Sequence, residues 1–470
     1  MSKFTPVVNP YKLEDCVPLM VDSYKFGHFK LYPAATNAMF AYTEPRTQGD
    51  VIVPFGLQMF IKRWLLTQIT PAMVDEAEAF CKGRGDPFNR AGWDKVVEEY
   101  NGFMPIKIRT VPEGTRVPSG NIISSVECDD KDLFWLASYV ETMLQRAIWY
   151  PTTIASNDYK AWRAIRRFNR ESAMTETLVP FTLHDFGGRG VNSHEGAEIG
   201  GAAHMVFFMG SDTCEGVRAA NHYYNTPMSG FSVVATEHSI QCAYGPFNQR
   251  EYLTSVLNEY GKPGAIVSIV LDGYDVYREA ALLCSMKDEI VASGAKIVFR
   301  PDSGDPLEVI PALLRMQEAA FGATMNQKGF KVINNVGIIQ GDGVDFDAMV
   351  KILEKVTEMG FSSDCIVFGS GGALLQKVNR DTFKFAQKTT SIRIGKKWVD
   401  LFKDPITDPG KKSKKGRMTL IHNTTTDEYR TVLVDDPLPL GFEDAMITVY
   451  DKGQLLNETT LDEIRARAHK

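Results

Sequence analysis

One pattern of apolar and polar positions recurs four times in the second half of the chain. It reads "AIVSIVLDGYDVYREAALL" from Ala265, "AKIVFRPDSGDPLEVIPALLRMQ" from Ala295, "VGIIQGDGVDFDAMVKILEKV" from Val336 and "DCIVFGSGGALLQKV" from Asp364. In each, a short apolar run ends in a loop of Asp, Gly, Ser or Arg. Apolar positions then return at helical spacing. The pattern predicts strand, loop and helix, and its repetition predicts parallel strands joined by right-handed crossovers. These are repeats of architecture, not of sequence. In an α/β barrel the loops after the strands share one rim, and the chemistry sits there. The charge in "RPDSGDP", from Arg300, therefore belongs to a site assembled from loops distant in sequence.

Upstream the pattern is mixed. "NAMFAYTEPR" and "MPIKIRTVPEGTRVPSGNIISSVE" read as short strands, and "PFGLQMFIKRWLLTQI" and "AGWDKVVEEYNGF" as helices. "KDLFWLASYVETMLQRAI" puts Leu133, Leu136, Val140, Met143, Leu144 and Ala147 on one helical face. "NDYKAWRAIRRFNRES" reads as a second, more basic helix, with Pro151 separating the two. The tail after Leu401 is turn-rich and then β-like. The expected organisation is an N-terminal α+β domain over residues 1–150, an α/β barrel domain over 151–405, and a β-rich tail over 406–470 packing on the first. The fold class is α/β, a (β/α) barrel-like domain with a β-rich companion.

Composition narrows the function. The chain has 470 residues, 44% hydrophobic and 23% charged, which is ordinary globular make-up. A net charge of −6 and a pI near 5.9 argue against a nucleic-acid binder. They leave room for a local basic pocket. Seven cysteines occur without a CxxC pair, which reads as isolated reduced thiols. The N-terminus lacks the apolar core of a signal peptide, and no stretch approaches the ~20 residues that span a bilayer. A cytoplasmic protein with no nucleic-acid or membrane partner is expected. "KKSKKGR", from Lys411, matches a basic targeting pattern, but a solvated loop is its ordinary reading.

The loops suggest a phosphorylated substrate. Gly371 and Gly372 open a helix, where backbone N–H groups face phosphate oxygens, although a tight turn needs the same glycines. Asp275, Asp302, Asp342 and Asp345 could share Mg²⁺ with substrate phosphates, hold ribose hydroxyls, or simply cap helices. Arg300 and Arg189 suit phosphate. Phe186 could stack on a flat heterocycle or belong to the core. His238 could be a base, an anion donor, a phosphoryl acceptor or a structural histidine, and His184 reads as structural. Spacing alone leads to a barrel enzyme for a phosphorylated, ribose-containing substrate with Mg²⁺ and an aromatic second substrate, without naming the reaction.

The ordered set "DSYKFGHFKLYP", "YTEPR", "LHDFGGRG", "GSDT", "EHS", "RPDSGDPL", "IQGDGVD", "FGSGGALLQK", "FKDPITDP" and "SKKGR" spans nearly the whole chain. It resembles the nicotinamide phosphoribosyltransferase family. The resemblance implies transfer of phosphoribosyl from phosphoribosyl pyrophosphate to nicotinamide, giving nicotinamide mononucleotide and pyrophosphate, with Mg²⁺ and with ATP as co-substrate. It implies a homodimer of the type II phosphoribosyltransferase fold with active sites at the interface. Phe186 would stack one face of nicotinamide, Tyr24 of the partner subunit the other, and Asp212 would accept from the carboxamide. Arg300 would contact the ring's surroundings and the phosphoribosyl phosphate. Asp302 and Asp275 would hold the ribose and the Mg²⁺–pyrophosphate. Gly341 and Asp342 would hold ribose hydroxyls, and Gly371, Gly372 and Arg189 phosphate. Arg46, Arg380 and Lys388 would reach phosphates across the interface, and His238 would be phosphorylated by ATP.

The sequence also departs from the family. Phe231 stands where animal members carry a tyrosine, Gly188 replaces an aromatic, and Leu271 and Ala386 replace serines. These departures point to a bacterial or phage member and leave affinity and ATP coupling open. Three alternatives compete: a nicotinate phosphoribosyltransferase of the same fold, another Mg²⁺-dependent phosphosugar enzyme, and a non-catalytic signalling or binding protein. Asp212 counts against the first, because a carboxylate repels nicotinate. "DSYK" and "EHS" count against the second. Retention of His238, Asp302, Arg300 and both glycine loops counts against the third.

Overall fold

A computed structural model describes residues 13–407 and 412–470. Residues 1–12, where the N-terminal reading begins, and residues 408–411, which include the first lysine of "KKSKKGR", lie outside them.

The four repeats form adjacent parallel strands, Ile266–Val270, Lys296–Arg300, Val336–Gln340 and Ile366–Ser370. Leu183–Asp185 and Gly210–Ser211 extend the sheet on one side and Val234–Ala235 on the other, all parallel. A single parallel bridge between Gly210 and Phe231 links the first edge to the segment entering the last strand, so the sheet curls toward closure. Phe299 and Phe368 are fully buried on it, each contributing about 1.5–3 kcal/mol by leaving water. Helices Val276–Ser285, Pro306–Phe321 and Phe346–Glu358 return the chain to the start of the next strand.

The second sheet is antiparallel and draws on both ends of the chain. Its order is Lys397–Asp400, Ala386–Ile394, Thr36–Glu44, Ser124–Cys128, Lys107–Thr110, Ile447–Asp451 and Gln454–Leu455. Strands Ala386–Ile394 and Lys397–Asp400 thus belong to the companion sheet, not to the barrel, and the expected boundary at residue 405 is corrected to a point soon after Leu375. Pairing of Thr36–Glu44 with both Ala386–Ile394 and Ser124–Cys128 captures them. The tail is corrected as well. Its strand Ile447–Asp451 joins the N-terminal sheet, but it ends in a helix, Leu461–Ala468, whose Leu461, Ile464 and Ala468 sit in the barrel core.

One helix, Glu141–Ser172, connects the two cores. Met143, Leu144 and Ile148 lie in the companion core, and Ile154, Trp162 and Phe168 in the barrel core. Two helices separated at Pro151 were expected; the structure has one, with Pro151 inside it. Proline removes one backbone donor from a helix interior. Here Pro151 is buried and the strand-to-helix turn at Gly56 closes over it; a Cβ on Gly56 would lie 2.5 Å from the Pro151 ring and 3.1 Å from the Ala147 carbonyl oxygen. The segment is further tied down by Val53 N–H donating to Ser156 Oγ at 2.9 Å. Among the described residues no helix is long and apolar enough to cross a membrane, and all seven cysteines are free.

Candidate active site

Seven parallel strands deliver their C-terminal loops to one rim, and most of the candidate residues sit there. Phe186 follows Leu183–Asp185, Asp212 follows Gly210–Ser211, and His238 follows Val234–Ala235. Asp272, Asp302, Asp342 and the Gly371–Gly372 pair follow the next four strands.

Phe186 forms one wall. Its N–H donates to the Ser370 carbonyl at 3.0 Å, which fixes the backbone against the neighbouring strand. Its ring lies over Gly369 and Gly341: a Cβ on Gly369 would come within 1.9 Å of the ring, and one on Gly341 within 3.2 Å of it and 3.6 Å of Asp302 Oδ1. Asp212 N–H donates to the Asp185 carbonyl at 2.9 Å, and Ser232 Oγ donates to Asp212 Oδ1 at 2.5 Å. Arg300 Nη2 donates to the Thr236 carbonyl at 2.7 Å, while its Nε is buried without a partner among the described residues. Phe186, Asp212, Phe231, Ser232 and Arg300 line the mouth of a cavity of about 450 Å³. Its lining also includes Ser268, in the middle of its strand, and Lys296 and Asp364, at the opposite end of the sheet. His184 also lines it, and burial lowers its pKa, favouring the neutral ring. The cavity is apolar and flat-walled, with one carboxylate and one guanidinium near its mouth, which suits a small aromatic ring bearing a polar substituent.

The aspartates divide by position. Each of three loops contains Asp-x-x-Asp: Asp272 and Asp275, Asp302 and Asp305, Asp342 and Asp345. The second of each pair caps the following helix. Asp275 accepts from Tyr277 and Arg278 N–H, Asp305 from Leu307 N–H at 2.9 Å, and Asp345 from Ala348 N–H at 2.9 Å. The first of each pair caps nothing. Asp272 Oδ1 lies 3.0 Å from His238 Nε2, and Asp302 Oδ2 lies 4.0 Å from His238 Nδ1. The structure thus places Asp275 and Asp345 in capping positions and brings Asp272, which sequence reasoning passed over, to the histidine. The signal was available: Asp275 stands directly before the helix, as a cap does, and Asp272 stands nearer the strand end.

The remaining candidates gather elsewhere on the same chain. Tyr24 is 63% exposed on the companion domain, beside Glu141. Arg46 Nε donates to Glu44 Oε1 at 2.7 Å, and its N–H donates to the Phe383 carbonyl. Burial lowers the pKa of Lys388; Glu141 opposes the shift, and Arg46, Lys403 and Arg380 add to it. A cluster of cations in mutual electrostatic range is unfavourable by itself and favours polyanions. Arg189, by contrast, is exposed on the rim loop after Phe186. One chain therefore carries a rim with an aromatic wall and carboxylates, and a separate cationic patch with an exposed tyrosine.

Comparison with known proteins decides the family. The model for the nicotinate phosphoribosyltransferase (NAPRTase) family matches residues 181–453, and that for the nicotinamide phosphoribosyltransferase N-terminal domain matches residues 16–108. A nicotinamide phosphoribosyltransferase of Xanthomonas campestris pv. campestris is 44% identical over 460 residues, covering 97% of this chain and 98% of the relative. One of Acinetobacter baylyi is 32% identical, covering 95% and 96%. The chain belongs to the nicotinamide phosphoribosyltransferase family. Solved structures agree on the fold. A nicotinate-nucleotide pyrophosphorylase from Pyrococcus furiosus gives a TM-score of 0.61 at 16% identity, covering 100% of this chain and 97% of that one. Human nicotinic acid phosphoribosyltransferase gives 0.57 at 16%, covering 96% and 93%. The fold is that of a type II phosphoribosyltransferase.

Of the four departures within this family member, one falls in the lining of the ring cavity and three lie outside it. Phe231 lines it, with its ring 6.2 Å from Phe181. Leu271 is fully buried beneath the Asp272 loop. At Gly188 a Cβ would lie 2.9 Å from Thr213 Oγ1, so the loop passes close to the Asp212 turn. Ala386 begins the companion strand beside Glu44.

Proposed function

We propose that this protein transfers phosphoribosyl from phosphoribosyl pyrophosphate to nicotinamide, releasing pyrophosphate and forming nicotinamide mononucleotide. The observation that carries the choice of base is Asp212 at the mouth of the aromatic cavity, facing the space beside Phe186. A carboxylate accepts from a carboxamide N–H and repels the carboxylate of nicotinate.

The chemistry needs positioning more than proton transfer. As pyrophosphate leaves, positive charge builds on ribose C1 and negative charge on the departing oxygens. The neutral pyridine nitrogen of nicotinamide attacks with its lone pair, so no general base is required. Asp302 would stabilise the ribose charge. Phe186 and Asp212 hold the ring for attack. The phosphate of the ribose would fall to the Gly371–Gly372 turn, with Arg189 as a further cationic contact. Mg²⁺ on the pyrophosphate would neutralise the leaving group. The residues fit an ion held largely by substrate oxygens: Asp302, 4.0 Å from His238 Nδ1, and Asp342 are rim carboxylates that cap no helix among the described residues, whereas Asp275 is engaged as a cap.

His238 is 45% exposed and Asp272 is 7% exposed. With Nε2 hydrogen-bonded to Asp272, Nδ1 is the nitrogen left to accept a phosphoryl group from ATP, with ADP leaving. The Asp272 carboxylate would favour the phosphorylated ring by holding its remaining N–H. The cationic patch of Arg46, Arg380 and Lys388, with Tyr24, is read as the half of the site that a second copy supplies, which makes the working unit a homodimer.

The test is product stoichiometry. Purified protein with Mg²⁺, phosphoribosyl pyrophosphate and nicotinamide should release one pyrophosphate per nicotinamide mononucleotide, and added ATP should raise the yield. Pyrophosphate release without mononucleotide would overturn the assignment.

A further inference from the structure

His204 lies outside the reacting groups, yet its surroundings fix its chemical state. It is fully buried on the helix His194–His204. Nδ1 is 2.8 Å from Asp158 Oδ2 on the long helix. Nε2 is 3.2 Å from the Leu183 carbonyl and 3.2 Å from the Gly210 carbonyl. Carbonyl oxygens only accept, so Nε2 carries a hydrogen shared between them. A carboxylate at Nδ1 likewise calls for a hydrogen there. With Asp158 ionised, both ring nitrogens donate and the ring is an imidazolium; burial raises the pKa of Asp158, and the charge and hydrogen bond of His204 oppose that shift. Phe208 stacks on it at 5.3 Å and 20°, which suits a cation over an aromatic face.

The two carbonyls matter because their strands lead directly into the ring site. Leu183 is three residues before Phe186, and Gly210 is two residues before Asp212. These neighbouring strands carry the stacking wall and the amide acceptor. We infer that His204 is a positioning residue: as a doubly protonated ring it ties both strands to Asp158 and so sets the distance between Phe186 and Asp212. The inference rests on the assignment of the ring site to nicotinamide and goes beyond it to the device that holds that site at its working width.

Burial raises the pKa of a second carboxyl near the ring, Asp185, and the His204 charge opposes that shift as well. Asp185, also buried, faces the ring from the strand that carries Phe186, with Oδ1 accepting from Gly187 N–H at 2.7 Å. Burial alone would lower the pKa of His204, but Asp158 and Asp185 together raise it. Burial lowers that of His184 on the same strand, and the charge on His204 adds to the effect. A neutral residue at position 204 would leave Asp158 buried without its cation, and one of the two strand carbonyls without a donor.

Two measurements test this on the intact enzyme. First, ¹⁵N-labelled histidine spectra of the native protein should show both His204 ring nitrogens protonated up to pH 8. A singly protonated ring there would overturn the inference, whatever any variant does. Second, in Asp158→Asn and His204→Gln the KM for nicotinamide should rise about tenfold or more, with that for phosphoribosyl pyrophosphate within about threefold. Equal rises in both, or an unchanged nicotinamide KM, would contradict a positioning role. Asp212→Ala separates the two levels. If it raises the nicotinamide KM and the two variants do not, only the inference falls. If it leaves that KM unchanged, the ring-site assignment falls and the inference with it.

Discussion

His238 Nε2 and Asp272 Oδ1 stand 3.0 Å apart across two adjacent strand ends, an exposed imidazole oriented by a nearly buried carboxylate. The carboxylate fixes which nitrogen is free. Asp272→Ala should therefore remove most of the stimulation by ATP, about 100-fold in the ATP-dependent rate, while slow basal transfer persists. Rates with and without ATP check this. Undiminished stimulation would show that His238 works without its partner.

The Asp-x-x-Asp loops make a paired prediction. Asp302→Ala should abolish turnover with little change in melting temperature, because Asp302 caps no helix. Asp275→Ala should do the reverse, costing about 1 kcal/mol of stability through the lost cap while transfer continues near the normal rate. Thermal unfolding and initial rates on both variants separate the two roles. Loss of activity in Asp275→Ala at full stability would return that residue to the reacting site.

Gly369 tests the aromatic wall. Its Cα–Cβ direction points into the Phe186 ring, 1.9 Å away. Gly369→Ala must displace that ring, and the KM for nicotinamide should rise about tenfold, because position rather than composition of the wall is altered. Direct titration of nicotinamide into the variant would measure the same loss. Unaltered affinity would mean that the ring does not rest on Phe186.

The two halves of the site on one chain predict complementation. Asp302→Ala damages the rim and Lys388→Ala the cationic patch, so each homodimer should be inactive. Mixed and reassembled in equal amounts, half of the dimers are mixed and each has one intact site, which restores about a quarter of the normal activity. No recovery after verified subunit exchange would place rim and patch in the same protomer's site.

How far these features are legible in the sequence depends on how local their signals are. The strand–loop–helix repeats after Ala265 are legible because apolar runs and helical spacing are short-range patterns, and Asp302 and the Gly371–Gly372 turn emerge from them as rim residues. The strands Gly210–Ser211 and Val234–Ala235 are too short to leave a period. The pairing of Thr36–Glu44 with Ala386–Ile394 joins segments far apart in sequence, and no local pattern announces it. Pro151 signals a break by its own chemistry, yet the helix runs on through it with Gly56 packed against its ring, a long-range contact that no local pattern shows. Asp272 and Asp275 are distinguishable in principle by distance from the helix start, but residue type alone makes them look equivalent.

In the proposed reaction Asp212 selects the amide over the acid. Native protein given Mg²⁺, ATP, phosphoribosyl pyrophosphate and equal nicotinamide and nicotinate should yield nicotinamide mononucleotide as the dominant product by mass spectrometry. Nicotinate mononucleotide as the dominant product would leave the fold and the rim intact and contradict the role assigned to Asp212.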